Sequence, residues 1–412
     1  MKLLFMFKLS LWLLYPWKVS ARIESNPNSR YLVKLKELPD QQWIHNATVN
    51  KDIHFYSISE SFHFLIGEYS HKDVMTLKSS PYVEYVEIDR PIQPLGLEKN
   101  PPSWGLDRLD QTSLPLDAQF NYIDNGGEGV DIYIVDTGIF VEHEEFEGRA
   151  KWGKVVTNEP SIDANGHGTF VAGIIGGKTY GVAKKANLHA VLDELGGGMI
   201  TSVILGMMYV QQEHRNKISK KTVVNLSLGM DYYRIMNEVI EEVIMSGIVV
   251  VAAAGNGDGF EGQDSCYVSP ASAPNVITVG STQENDEISP FSNYGKCVTL
   301  YAPGELITSS YIGSTTAFTV LSGTSFAAPH VTGIVALILS ATSTKLYPVE
   351  IRERVINMAV KGVLSTLPID TPNLLANSQL HAYMVTSESW NLNTGHMLWL
   401  FLLSLGLWRQ DI

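Results

Sequence analysis

The sequence is expected to fold as an α/β protein: a parallel sheet sandwiched by helices, preceded by a small α+β unit of ferredoxin-like type. Three observations lead there. Beyond residue 97, short β-branched runs alternate with helix-like segments, the pattern of a parallel sheet covered on both faces. The first hundred residues instead mix alternating strands with one helical stretch, as a compact α+β domain does. A Pro-rich linker, Asp89 to Pro102, separates the two patterns.

The 412 residues, 45% hydrophobic and 18% charged, suit one large globular domain and a smaller one. A net charge of −13 without any basic stripe argues against a nucleic-acid partner. The two cysteines, Cys266 and Cys297, read as one disulfide closing a loop of about 30 residues or as two buried thiols. Neither has a CxxC or metal-like neighbour.

Residues 1–21 read as a secretory signal. Lys2 supplies the positive start, Leu3 to Tyr15 is mostly apolar, and Val19-Ser-Ala21 offers a cleavage site. Residues 22–96 form the small unit, with strands at Arg30–Lys36, Phe55–Ile58, Phe62–Ile66 and Tyr82–Ile88 and a helix at His71–Lys78. Residues 97–385 form the large domain. Its strands are placed at Val130–Val135, Asn187–Leu192, Thr222–Leu228, Ile248–Ala254 and Asn275–Val279, with helices at Thr201–Arg215 and Tyr233–Ser246. Functional groups of such sheets gather at the carboxyl ends of the strands.

Four polar residues stand out there. Ser325 lies where a turn-prone Ser322-Gly-Thr-Ser325 stretch enters an apolar helix ending near Leu339. The unpaired N–H groups and positive dipole end of a helix start favour a developing oxyanion, so Ser325 reads as a nucleophile or as an ordinary N-cap. Pro329 is expected to be tolerated close to the helix start. Asp136 ends a strand before a turn glycine, and a strand-end cap is its plain structural reading. His167 sits between glycines that permit close approach to its ring. Asn256, on a Gly-flanked turn, is a turn residue or an amide donor to an oxyanion. His143 and His330 read as structural, the first in an acidic loop and the second packed on the Ser325 helix.

In the order Asp, His, Asn, Ser, these stretches resemble the subtilisin-like serine proteases, nearest the proteinase K and fungal vacuolar protease branch. The matching motifs are Ile-Val-Asp136-Thr-Gly-Ile, Gly-His167-Gly-Thr-Phe-Val-Ala-Gly, Ala-Ala-Gly-Asn256 and Gly-Thr-Ser325-Phe-Ala-Ala-Pro-His. Leu192-Asp-Glu-Leu-Gly-Gly-Gly198, Ser269-Pro-Ala-Ser272 and Phe291-Ser-Asn-Tyr-Gly295 also match. The resemblance covers about residues 100 to 380 and implies that Ser325 attacks the peptide carbonyl, His167 takes its proton and Asp136 holds the imidazole. Asn256 and the Ser325 N–H would bind the oxyanion. It further implies that Gly196 to Gly198 and Ser227-Leu228-Gly229 pair with the substrate main chain as an added strand, so cleavage is broad. Ala252 to Ala254 suggest one wall of an uncharged pocket for apolar or aromatic side chains.

By the same resemblance, residues 22–96 are a propeptide that assists folding, docks on the cleft and leaves after self-cleavage in the linker. Cys266 and Cys297 match a cysteine pair of the vacuolar branch, which favours the disulfide. Thr299 stands where some relatives carry a calcium-binding carboxylate, so no cofactor or metal is assigned and calcium stays open. Asn46-Ala-Thr48 is a candidate glycosylation site. Asn225-Leu-Ser227 also fits that pattern but lies in an expected core strand.

Residues 386–412 form a tail. Its 13-residue apolar run, His396 to Trp408, is too short to span a membrane comfortably. The small polar residues before it loosely resemble a lipid-anchor signal, and the polar ending Arg409–Ile412 argues against one. Packing on the large domain or association with a surface are the other readings. The whole reads as a secreted, monomeric serine endopeptidase made as a self-processing zymogen, in the secretory pathway or at the cell surface. Protein or peptide substrates and its own propeptide are the expected partners. The alternatives are a catalytically silent binding protein that retains its propeptide and an acyl-transfer ligase of the same fold.

Overall fold

The computed structural model describes residues 29–48, 53–59, 61–89, 95–156, 160–191, 198–342 and 345–378. The signal-like segment 1–21, Gly196 and the tail 386–412 lie outside the described residues. The chain divides into two compact units, Met1–Pro91 and Ile92–Ile412.

In the first unit the elements run β1 (Ser29–Leu35), α1 (Gln41–Thr48), β2 (Ile53–Ser59), β3 (Phe62–Tyr69), α2 (His71–Lys78) and β4 (Val83–Ile88). The sheet order β2-β3-β1-β4, with β1 antiparallel to both β3 and β4, is ferredoxin-like. Period-2 alternation puts Val33 and Leu35 on the buried face with Leu65, and a shift of register between β1 and β4 at Lys34/Leu35 lets both Val83 and Val86 join them. The Ser70 side chain accepts the Asp73 N–H while Asp73 accepts the Ser70 N–H, a reciprocal cap that fixes where α2 starts. Helix α1, absent from the sequence expectation, buries no residue fully. Asn46 is exposed on it.

The second unit begins with β5 (Leu95–Lys99), α3 (Trp104–Leu109) and β6 (Gln119–Ile123). Then come β7 (Asp131–Val135), β8 (Ala150–Lys154), α4 (His167–Gly176), β9 (Asn187–Val191), α5 (Ile200–Asn216), β10 (Thr222–Leu226) and β11 (Met230–Asp231). They are followed by α6 (Arg234–Met245), β12 (Val249–Ala253), β13 (Val268–Ser269), β14 (Ile277–Thr282), β15 (Leu300–Pro303), β16 (Ile307–Ser310) and β17 (Phe318–Leu321). Last are α7 (Thr324–Ser340), α8 (Pro348–Met358), β18 (Val360–Lys361) and β19 (Leu374–Leu375). Among the described residues, nine of these strands make one sheet in the order β18-β19-β15-β14-β12-β10-β7-β9-β8. It is parallel from β19 to β8.

Both faces are covered, which is why the strands read as unbroken apolar runs. Ile132, Ile134, Val223, Val249 and Val251 pack with the apolar residues of α4 and α7. Their neighbours Tyr133, Val135, Val224 and Val250 face Val203, Met207, Ile240 and Ile244 of α5 and α6. A disulfide joins Cys266 to Cys297.

Pro329 departs from expectation. It is the sixth residue of α7, past the first turn, where it removes a helical hydrogen bond.

Candidate active site

Strands β7, β10 and β12 are neighbours at the middle of the sheet, and the candidate residues follow their carboxyl ends. Asp136 comes directly after β7, Ser227 directly after β10, and Asn256 just beyond β12. His167 is the first residue of α4 and Ser325 lies in the first turn of α7.

Asp136 and His167 meet. His167 Nδ1 lies 2.7 Å from Asp136 Oδ1, which also accepts the Thr137 N–H at 2.8 Å. A carboxylate only accepts, so Nδ1 carries the proton and Nε2 is left as the basic nitrogen. The Asp136 side chain is 3% exposed against 27% for His167, so the carboxylate is dry and the ring reaches the surface. Burial alone would push the imidazole down. The charge and hydrogen bond of Asp136, with the charge of Asp163, outweigh it and hold His167 above its ordinary value.

The glycines flanking His167 act differently from expectation. A Cβ on Gly168 would lie 2.1 Å from the Gly138 carbonyl oxygen, so the close approach is of backbone to backbone. Gly166 has φ +94°, and a Cβ there would meet the Tyr311 ring, whose hydroxyl donates to the Asn165 carbonyl at 3.0 Å.

Asp163, given no role by the sequence, connects the two segments. Its Oδ1 accepts from Thr137 Oγ1 and the N–H groups of Asn165 and Gly166, and its Oδ2 from Thr169 N–H and Oγ1. An aspartate four residues before His167, in a turn with Asn165 and Gly166, was the signal available.

Ser325 is half-buried. Its hydroxyl donates to the Ser227 carbonyl at 3.2 Å, while the Ser227 hydroxyl donates to the Ser325 carbonyl at 2.7 Å. Phe326, the next residue, packs against His167 with ring centroids 5.4 Å apart, which places the serine segment beside the histidine.

Asn256 is half-buried on a turn where Gly255 takes φ +98°. Its Oδ1 accepts from Thr324 N–H at 2.9 Å and Thr324 Oγ1 at 2.7 Å. Those bonds orient the amide so that Nδ2 is the end free to donate elsewhere. Asn293, in a motif quoted above without a role, braces the turn. It donates to the Ala254 carbonyl and accepts the Gly257 and Gln263 N–H groups.

Of the remaining candidates, Gly198 and Gly229 are exposed and Leu228 is half-buried. Ala254 is fully buried in a cluster with Val298, Tyr301, Leu364 and Leu375. His143 Nδ1 accepts the Glu145 N–H, so its Nε2 carries the proton to the Ala317 carbonyl. His330 donates to the Phe326 carbonyl, and burial drives its pKa down to about 4. Both are structural. Among the described residues no group of three or more His, Cys, Asp or Glu could hold a metal ion. No helix among them is long and apolar enough to cross a membrane.

A buried carboxylate on an imidazole, a serine at a helix start beside that ring and an oriented amide on a central parallel sheet define the class: a serine hydrolase of α/β architecture. Residues 127–383 match the subtilase family, peptidase S8. The chain is 40% identical over 334 residues to alkaline protease 2 of Aspergillus fumigatus, covering 74% of this chain and 66% of the relative. It is 38% identical over 348 residues to subtilisin-like protease 8 of Arthroderma otae, covering 78% and 70%. The subtilisin-like serine protease Pen c 2 of Penicillium citrinum is 38% identical over 355 residues, covering 78% and 77%. A crystal structure of a cold-adapted subtilisin-like serine proteinase superposes with a TM-score of 0.62 at 40% identity, covering 67% of this chain and 97% of that one. The chain therefore belongs to the subtilase family, on its proteinase K-like side, and is a serine endopeptidase.

Proposed function

We propose that Ser325, His167 and Asp136 are the catalytic triad of this endopeptidase and that Asn256 is its side-chain oxyanion donor. The 2.7 Å bond between His167 and Asp136 carries the reading, because it commits Nδ1 and leaves Nε2 to act as base. The Ser325 hydroxyl turns from the Ser227 carbonyl to Nε2, gives up its proton there and attacks the scissile carbonyl carbon. The oxygen of that carbonyl becomes an oxyanion, held by Asn256 Nδ2 and the Ser325 N–H. His167 then returns the proton to the departing amine as the C–N bond breaks. Water, deprotonated by the same nitrogen, attacks the acyl carbon, and His167 gives that proton to Ser325 Oγ as the ester bond to it breaks.

The enzyme is proposed to be secreted as a zymogen. Support comes from the signal-like residues 1–21, the separate ferredoxin-like unit and the Pro-rich linker after it. In this reading residues 22–96 inhibit the protease until they are cut away, and residues 97–385 are the working domain. Broad cleavage is proposed through backbone pairing at Gly196–Gly198 and Ser227–Gly229. A preference for apolar or aromatic side chains before the scissile bond is proposed from the uncharged sequence Ala252–Ala254 alone, since these residues are themselves buried in the core.

The test is fluorophosphonate labelling of the purified protein beside a Ser325→Ala variant, with the N-terminus read by mass spectrometry. Labelling lost in the variant, with a new N-terminus in the linker, supports a self-processing protease. Absence of labelling in folded protein that retains residues 22–96 favours the binding-protein alternative.

A further inference from the structure

Asn225 is a polar side chain where none is expected. It sits in β10, a central strand of the sheet, among Val223, Val224 and Leu226, and is 0% exposed. A buried amide without partners is costly, so where its hydrogen bonds go has to be accounted for. Its Oδ1 accepts the Thr332 hydroxyl from α7 at 2.8 Å, the shorter of that hydroxyl's two contacts (the Ala328 carbonyl lies at 3.1 Å), and its Nδ2 donates to Ser227 Oγ at 2.9 Å. The Ser227 hydroxyl has one proton, and that proton goes to the Ser325 carbonyl at 2.7 Å. An Asn225 amide turned the other way would present an oxygen to Ser227 and compete for the proton.

The Ser325 carbonyl needs this donor. In an α-helix the carbonyl of residue i takes the N–H of residue i+4. For Ser325 that residue is Pro329, which has none. The nucleophile's carbonyl is thus left without its usual i+4 donor, and the Ser227 hydroxyl, just past the end of β10, fills the vacancy. The Ser325 hydroxyl returns a bond to the Ser227 carbonyl at 3.2 Å, so the two serines are clasped at both ends.

We infer that Asn225 is a positioning residue for the nucleophile: through the Ser227 hydroxyl it holds the Ser325 carbonyl that Pro329 leaves without a helical donor. The inference rests on Ser325 being the nucleophile. The order of action runs from the sheet outward. Asn225 orients Ser227, Ser227 fixes the Ser325 peptide, and the Ser325 hydroxyl and N–H inherit that placement relative to His167 and Asn256.

The experiment starts with fluorophosphonate labelling of the wild type at Ser325. Without labelling, the protease reading fails before any variant is compared. With it, kcat and KM on a chromogenic peptide amide are measured for Asn225→Ala, Ser227→Ala, the double variant, and each single variant in a Pro329→Ala background. Each single change is expected to lower kcat about tenfold with KM nearly unchanged, the scale of one lost well-placed hydrogen bond. The double variant matches the worse single one, because the two residues act in series. Pro329→Ala restores an N–H to the Ser325 carbonyl, so the kcat loss shrinks in that background.

Multiplicative losses in the double variant would overturn the inference. So would an Asn225→Ala enzyme with a lowered Tm and wild-type kcat. Should Asn225→Ala not fold, Ser227→Ala with and without Pro329→Ala makes the same comparison, and an undiminished loss in the Pro329→Ala background rejects the clasp.

Discussion

The carboxylate of Asp163 accepts the hydroxyl of Thr137 at 3.0 Å, tying the strand end that carries Asp136 to the turn that launches the helix of His167. The same carboxylate raises the affinity of His167 for its proton, second to Asp136. Asp163→Asn removes that charge, so the imidazole deprotonates at lower pH. The base must be neutral to work, and the acid limb of the kcat/KM profile is therefore expected to move to lower pH. A profile that keeps its acid limb in place would separate Asp163 from the titration of His167. The stability linkage has the opposite sense. A histidine raised by its partner adds stability that is complete below about 6.5, its unfolded value, and is lost as pH climbs through the folded one.

Asn256→Ala is expected to cost about 10²–10³ in kcat with KM little changed, a range carried over from an oxyanion donor of a family relative. Steady-state kinetics at saturating peptide read it directly. Because Asn256 Oδ1 is held by Thr324, Thr324→Val should give a partial copy of the same defect. An equal rise in KM for both variants would assign Asn256 to substrate binding instead.

Reducing the Cys266–Cys297 bridge, whose cysteines are 31 positions apart, frees a chain segment in the unfolded state. The chain-entropy relation gives a loss of about 3–4 kcal/mol. Thermal unfolding of a Ser325→Ala background, which stops self-digestion, with and without reductant measures it. A Tm indifferent to reductant would show that the loop is held by other contacts.

Lys184 is a buried cation on the second unit. Its Nζ bonds Glu98 at 3.0 Å and the Thr179 carbonyl at 3.1 Å, and lies 5.0 Å over the Tyr122 ring. Burial pushes this amine below its usual range, while Glu98 works against that. Glu98→Ala strands the charge and is expected to destabilise the fold by about 3 kcal/mol. Lys184→Met together with Glu98→Ala should recover much of the loss, since an apolar pair needs no solvation. Urea unfolding of the three variants checks both parts.

The architecture was largely legible in the sequence because a two-sided sheet imposes its own signal. Ile132 and Tyr133 face opposite layers, yet both must be apolar, so β7 reads as one unbroken run. The meeting of Asp136 with His167 was implied by the family resemblance of their two motifs and not by local pattern, since β7 and α4 are apolar on every side. What could not be read were hydrogen bonds that pair distant positions by side-chain geometry alone. Thr137 and Asp163 are 26 positions apart, and Asn225 and Thr332 are 107 apart. Nothing in local spacing records such a pair. Asn225 fits a glycosylation motif, and its expected place in a core strand set that reading aside, as its full burial bears out, but the partners of its amide were not legible. Helix α1 went unread because it buries no residue fully, and Pro329 was placed by its nearness to a turn and not by its register in α7.

Helix α7 is buried from Phe326 to Leu339, packed between the sheet and its neighbouring helices. The proposed nucleophile thus rides on a segment whose burial is expected to tie its exchange with solvent to opening of the whole unit, and not on a loop that frays early. Heat inactivation of this enzyme would then be governed by the same event as loss of its core. Its working lifetime becomes a question of unfolding rate, and substitutions that slow the opening of the α7 layer would lengthen it without touching the chemistry.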